Sequence, residues 1–139
     1  MSEPRRIYLD SSILLAHLLR ESERSERLAW SKLDGERITS ELAELECRRT
    51  LDRIRLQERI RDEEIADRFA EIDLLFRSLR VIQFNAPILK RAKASFPTVV
   101  RSLDAIHLAT AELAQSTLFL TLDKQQAIAA KAIGLNVSP

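Results

Sequence analysis

Glycine is nearly absent from this sequence. Gly35 and Gly134 are the only two in 139 residues, so no Gly-rich loop is available to wrap a phosphate. The single cysteine, Cys47, excludes an internal disulfide and fits a reducing compartment. Charge of either sign is not in excess: 22 basic residues face 21 acidic ones, for a formal net charge of +1. No global basic field announces a polyanion partner, although a local patch suffices for contact with phosphates. No stretch approaches the roughly 18 apolar residues of a membrane span. The apolar run after Arg5 and Arg6 is broken at Asp10, which leaves no signal-peptide core. The expectation is a cytoplasmic protein with no membrane association, folded as one domain over residues 1–139.

What the sequence does have is a strand that stops at an acid. In Ile7-Tyr8-Leu9-Asp10-Ser11-Ser12, strand-forming residues end in a carboxylate and two hydroxyls, and Ile13-Leu14-Leu15-Ala16 then starts a helical pattern. Ser11 or Ser12 is expected to cap that helix. An acid at this junction lies at the carboxyl edge of a sheet, where open α/β proteins bind ligands.

Further on, Glu21 to Arg27 reads as a charged connection or a second helical turn, and Leu28, Ala29 and Leu33 as resumed helix. Asp34-Gly35 is a turn, followed by a short strand at Arg37-Ile38-Thr39. Ser40 caps a long helix with Glu41 and Glu44 in its first turns and an imperfect apolar stripe through Leu42, Leu45, Arg49, Leu51, Ile54 and Leu56. The charges of Arg59 to Glu64 suggest a turn. Ile65, Phe69, Ile72, Phe76 and Leu79 then recur at spacings of four, three, four and three, one face of a helix. Val81-Ile82-Gln83-Phe84 reads as a third strand, and Asn85 as the cap of a helix with Pro87 in its first turn, which ends by Phe96-Pro97. Ser102 begins the next helix, with Ile106, Ala109, Thr110 and Leu113 on its inner side. Thr117 to Thr121 is a strand leading to Asp123, Lys124 to Ile133 is helical, Gly134 stops it, and Leu135-Asn136-Val137 suits an edge strand. Alternating strands and helices predict an α/β fold with a parallel sheet covered on both faces.

Four acids fall where such a sheet can gather them. Asp10 and Asp123 follow strands, Asp104 lies in a first helical turn, and Glu46 lies nearly two turns past Ser40. Carboxylates brought together repel unless a cation sits between them. An all-oxygen set with no histidine–cysteine cluster selects a hard ion such as Mg²⁺ or Mn²⁺. Such an ion can ionise a water and neutralise a phosphoryl oxygen, which leads to phosphodiester hydrolysis. Aspartate at an element end is also explained as a helix cap, so spacing alone leaves both readings open.

Motifs carry the argument further. Tyr8-Leu9-Asp10-Ser11-Ser12 resembles the opening motif of PIN-domain ribonucleases. Ser40-Glu41-Leu42-Ala43-Glu44-Leu45-Glu46 resembles their second, in which a serine precedes the site glutamate by six positions. Arg101-Ser102-Leu103-Asp104-Ala105-Ile106-His107-Leu108-Ala109-Thr110-Ala111 is similar to the third motif of VapC-type toxins, and Thr121-Leu122-Asp123 resembles the fourth. The resemblance spans essentially the whole chain; Leu51 to Lys90 carries no motif. It implies a three-layer α/β/α PIN-like sandwich and a Mg²⁺-dependent endoribonuclease, the toxin of a toxin–antitoxin pair. It further implies Asp10 and Asp104 as the firmest metal ligands, Glu46 and Asp123 completing the site directly or through water, and Ser12 and Thr121 in support. RNA would be the substrate, a small antitoxin protein the inhibitor, and a homodimer the common assembly.

Other residues fit blander roles as well. His107, one turn after Asp104, reads as packed or hydrogen-bonded rather than as a base, and His17 as near-core. Cys47 reads as a buried thiol, and Trp30 as packing more than as a base-stacking platform. Arg48, Arg49 and Arg101 flank motif acids and suit either RNA phosphates or ordinary ion pairs. Three alternatives remain beside the toxin: a housekeeping RNA-processing PIN nuclease, a PIN domain used only for binding, and a receiver-like signalling domain. The last requires an aspartate after the third strand, where Asn85-Ala86-Pro87 stands.

Overall fold

A computed structural model describes residues 5–19 and 30–138; the segment Glu21 to Arg27 and the helical reading of Leu28 and Ala29 lie outside these. Strands β1 (Arg6–Leu9), β2 (Glu36–Ser40), β3 (Arg80–Ile82), β4 (Leu118–Leu120) and β5 (Val137–Ser138) form one sheet in the order β3-β2-β1-β4-β5. Every pairing is parallel. Helices α1 (Ser11–Leu19), α2 (Glu41–Glu58), α3 (Asp62–Arg77), α4 (Ala86–Lys93), α5 (Ser102–Leu113) and α6 (Lys124–Ala132) make the crossovers.

Strand alternation sorts the core into two layers. Ile7 and Leu9 of β1 point to one face, with Leu14 of α1, Cys47 and Leu51 of α2, and Ile72 and Phe76 of α3. Tyr8 points to the other, with Leu108 of α5, Phe119 of β4 and Ala129 of α6. The Tyr8 and Phe119 rings stack at 5.2 Å between centroids. Ile7, Tyr8 and Leu9 are all fully buried, as expected of a central parallel strand covered on both sides. The result is a three-layer α/β/α sandwich. No helix among the described residues is long and apolar enough to cross a membrane.

Several boundaries differ from the sequence reading, each for a physical reason. Asp10, rather than Ser11 or Ser12, caps α1, because its carboxylate accepts the free N–H groups of Ser12 and Ile13. Asp62, Glu63 and Glu64 belong to the first turn of α3, where acids suit the positive end of the helix dipole, so the turn is shorter than Arg59 to Glu64. Strand β3 starts at Arg80 and stops at Ile82, since its partner β2 runs out at Ser40; Gln83 and Phe84 have no ladder to join. The buried stripe of α2 is Ala43, Cys47 and Leu51, while Leu45 and Leu56 are exposed. On α5 the inward residues are Ala105, His107, Leu108, Ala109, Thr110 and Ala111, and Leu113 is exposed. The caps at Ser40, which accepts from Leu42 N–H, and at Asn85, which accepts from Ile88 N–H, form as expected.

Gly35 holds the entry to β2. Its φ is +142°, and a Cβ there would stand 2.7 Å from the Arg5 carbonyl oxygen, the group that accepts the Glu36 N–H. Gly134 also has positive φ, +92°, but open space around it. Gly35→Ala is therefore expected to cost about 2–3 kcal/mol, and Gly134→Ala about 1 kcal/mol. Urea unfolding of both variants checks this, and equal midpoints would refute the packing argument at Gly35.

Candidate active site

The strands share one carboxyl edge. There the chain leaves β1 toward β2 on one side, while β4 leads to β5 on the other, which opens a crevice at the switch point. Asp10 stands at the end of β1, and Asp123 just past the end of β4 as the cap of α6.

Asp10 is 4% exposed. Its Oδ1 accepts from Ser12 N (3.0 Å), from Ile13 N (3.4 Å) and from the Ser12 hydroxyl (2.5 Å). Ser12 Oγ in turn accepts from Leu122 N at 2.9 Å and lies 3.2 Å from Thr121 Oγ1, which accepts from Asp123 N at 3.0 Å. Ser12 and Thr121 thus tie the ends of β1 and β4 together through hydroxyls. Burial raises the Asp10 carboxyl above its ordinary pKa, against the opposing hydrogen bonds of Ser12 and Thr121 and the attraction of His107.

On the far side of the crevice, Asp123 Oδ1 accepts from Gln125 N (2.9 Å) and Gln126 N (3.2 Å), two of the free amides in the first turn of α6. The buried Gln126 side chain donates to the Asp104 carbonyl at 3.1 Å, so one residue sets the starts of α5 and α6 against each other. Asp104 is also raised, first by burial, then by the negative charges of Asp123 and Glu46; His107 and Arg101 act in the opposite sense. Asp104 therefore lies within electrostatic reach of Asp123 and Glu46, and both Asp104 and Asp10 lie within reach of His107.

Glu46 Oε1 lies 2.6 Å from His107 Nε2, and His107 Nδ1 lies 2.6 Å from the Tyr8 hydroxyl. His107 is 1% exposed, which agrees with its reading as a packed, hydrogen-bonded ring. Its bond to a site acid, like the contributions of Tyr8 and Gln126, was not legible in the sequence. Tyr8 is 99 positions from His107, and no local pattern links them.

The arginines divide. Arg48 is held by Glu44 and Asp73, and Arg49 by Asp52. Arg101 makes no ion pair among the described residues and lines a cavity of about 310 Å³ together with Asp104, Asp123 and Gln126. Trp30 is buried against His17 and Arg37, which makes it a packing residue. Cys47 is buried, and its thiol is pushed up to about 12 by burial and by Glu46 and Glu44, so it carries no reactive thiolate.

The donor set fits a hard cation: carboxylates with hydroxyl support and no soft ligand. A cation beside Asp104 would offset the negative charges of Asp123 and Glu46 that help to raise its carboxyl. Among the described residues, no three His, Cys, Asp or Glu side chains are arranged to hold an ion by themselves.

The family model described as the PIN domain matches residues 7–132. The structure is similar to FitAcB from Neisseria gonorrhoeae, with a TM-score of 0.77 at 16% identity over 96% of each chain. It is also similar to a toxin–antitoxin complex from Klebsiella pneumoniae, at TM-score 0.68 and 16% identity over 96% of each chain. A third likeness is to VapC20 from Mycobacterium tuberculosis, a sarcin–ricin loop cleaving toxin, at TM-score 0.64 and 16% identity over 93% of this chain and 95% of that one. At such identities these likenesses concern the fold. No curated protein sequence matches the chain at a significant level. The family match runs from β1 through α6, across every element that contributes an acid to the crevice, and the chain belongs to the PIN-domain family.

Proposed function

We propose that this chain is a divalent-metal-dependent endoribonuclease of the VapC toxin type, a single cytoplasmic PIN domain inhibited by a small antitoxin protein and assembled as a homodimer. The observation that carries the reading is the crevice at the switch point. There Asp104 is raised by burial and by the charges of Asp123 and Glu46, and Asp10, at the end of β1, is raised by burial. The fold likeness to toxin–antitoxin proteins supports the toxin assignment and the antitoxin partner.

Asp10 and Asp104 would hold Mg²⁺ or Mn²⁺, with Glu46 and Asp123 acting directly or through water, which suits an ion that keeps several of its waters. When bound, the ion supplies an ionised water and neutralises charge on the phosphoryl group. The chain's own work is orientation. Ser12 fixes one oxygen of Asp10 through an N–H and an O–H, Thr121 braces Ser12 and the Asp123 backbone, and Gln126 sets the starts of α5 and α6. Arg101, without an ion pair among the described residues and beside Asp104 in the cavity, is placed to meet an RNA phosphate. A housekeeping RNA-processing role is the second reading, and the same acids would serve it. A receiver-like domain is set aside, because the chain is a PIN domain and no acid follows β3.

The direct test is cleavage of a structured-RNA panel with Mg²⁺ or Mn²⁺, with EDTA, and with Asp10→Asn and Asp104→Asn proteins. Metal-dependent cutting that falls at least about a hundredfold in either variant is expected; unchanged cutting by the variants would overturn the assignment.

A second expectation concerns stability. Each raised carboxyl binds its proton more tightly in the folded protein than in the unfolded chain. Its contribution is therefore lost as the pH rises from the ordinary value of 3.8 through the raised one, and regained on acidification. Without metal, Asp10→Asn should melt above wild type at neutral pH, and the gap should close toward pH 4. Mn²⁺ at a hundredfold excess over its Kd should stabilise wild type by about 2.7 kcal/mol and reverse the order. A melting difference that ignores both pH and Mn²⁺ would refute the electrostatic account.

A further inference from the structure

We propose that Tyr8 and His107 form a buried relay that positions the Glu46 carboxylate in the acidic crevice. The inference rests on the reading of Glu46 as a site acid and assigns a role to two residues outside the acidic set.

Glu46 needs positioning. It extends from the second turn of α2, its side chain is 26% exposed, and a glutamate has three side-chain torsions whose freedom is lost when the carboxylate is fixed. The proton inventory decides how the fixing is done. An ionised Glu46 only accepts, so the hydrogen of the 2.6 Å contact belongs to His107 Nε2. The second contact holds in either charge state of the ring: a neutral ring accepts at Nδ1 from the Tyr8 O–H, 2.6 Å away, and an imidazolium donates its Nδ1–H to the phenol oxygen. Tyr8 is fully buried and stacked on Phe119 with 7° between the ring planes, so its hydroxyl has a fixed direction. Burial, followed by the charges of Asp10 and Glu46, raises the phenol.

The relay's two anchors are the elements that carry the other acids. Tyr8 lies two residues before Asp10 on β1, and His107 lies one helical turn after Asp104 on α5. A single chain of hydrogen bonds therefore registers Glu46 against both Asp10 and Asp104. It occupies Oε1 of Glu46 and leaves Oε2 for a cation or its water.

Calorimetric titration of the full-length chain with Mn²⁺, in the absence of RNA, tests this with Glu46→Gln, His107→Leu, His107→Gln and Tyr8→Phe proteins. Tyr8→Phe keeps the ring and its stacking, and His107→Gln keeps an N–H near the Nε2 position. Loss of such an orienting bond costs about 10–100-fold in metal affinity. His107→Leu should reach that range, Tyr8→Phe its lower end, and His107→Gln should restore most of the binding. Circular dichroism and melting establish that each variant is folded; if His107→Leu is not, Tyr8→Phe carries the test. Wild-type affinity in a folded Tyr8→Phe or His107→Leu protein, beside weakened binding in Glu46→Gln, overturns the relay alone. Failure of His107→Gln to recover beyond His107→Leu also overturns it, because lost packing would then explain the defect. Absent binding in wild type, or full affinity in Glu46→Gln, removes the metal-site reading and the relay with it.

Discussion

A carboxylate buried at the end of the central strand is the constraint on which the rest of this structure turns. Asp10 is 4% exposed, and a buried acid without partners would cost several kcal/mol. The chain answers with donors from two places. The first amides of α1 make Asp10 a helix cap, and Ser12 adds a hydroxyl that is itself braced by Leu122 and Thr121 beyond β4. The abrupt change from strand to helix after Leu9 is a consequence of this requirement, and so is the close approach of the β1 and β4 ends. Even so, burial outweighs these bonds and the acid remains raised, a balance that favours positive charge beside it.

Sheet order makes the constraint productive. With β1 between β2 and β4, the connections after β1 and β4 diverge, and the residues just past the end of each strand face a common crevice. Side-chain alternation then uses β1 twice. Ile7 and Leu9 fill one core layer, while Tyr8 fills the other and sends its hydroxyl to His107. The same strand therefore supplies the floor of the core, the buried acid and the base of the Tyr8–His107–Glu46 chain.

The sequence made the architecture and the positions of the acids legible because both depend on local pattern. Strand-to-helix transitions, capping residues and the spacing of Ile65, Phe69, Ile72 and Phe76 are short-range signals, and the structure places β1, β2, α3, α4 and the sheet accordingly. Pattern failed where a partner decides. Phe84 has good strand character but no neighbour to pair with, and Leu45 and Leu113 are apolar without a layer to enter. Asp10 displaced the serines as cap because the helix starts at Ser11, two residues before its apolar pattern begins at Ile13. Likewise, nothing near His107 in sequence points to Tyr8, and nothing near Arg48 points to Asp73.

The arginines show how a nearly neutral chain can address a polyanion. A surface ion pair removes most of the field that each partner offers to a ligand, and Arg48 and Arg49 are spent in that way along α2. Arg101, at the start of α5, stands beside the acids of the crevice, and its charge already opposes the raised pKa of Asp104. A phosphate approaching the crevice would meet repulsion from four carboxylates and attraction from this side chain. The proposed cation converts that repulsion into a bridge, so affinity for RNA and occupancy of the metal site should rise together, each making the other less costly. On that argument the modest net charge of +1 is no obstacle to the proposed action on RNA, since the field that matters would be built locally from Arg101 and the proposed ion.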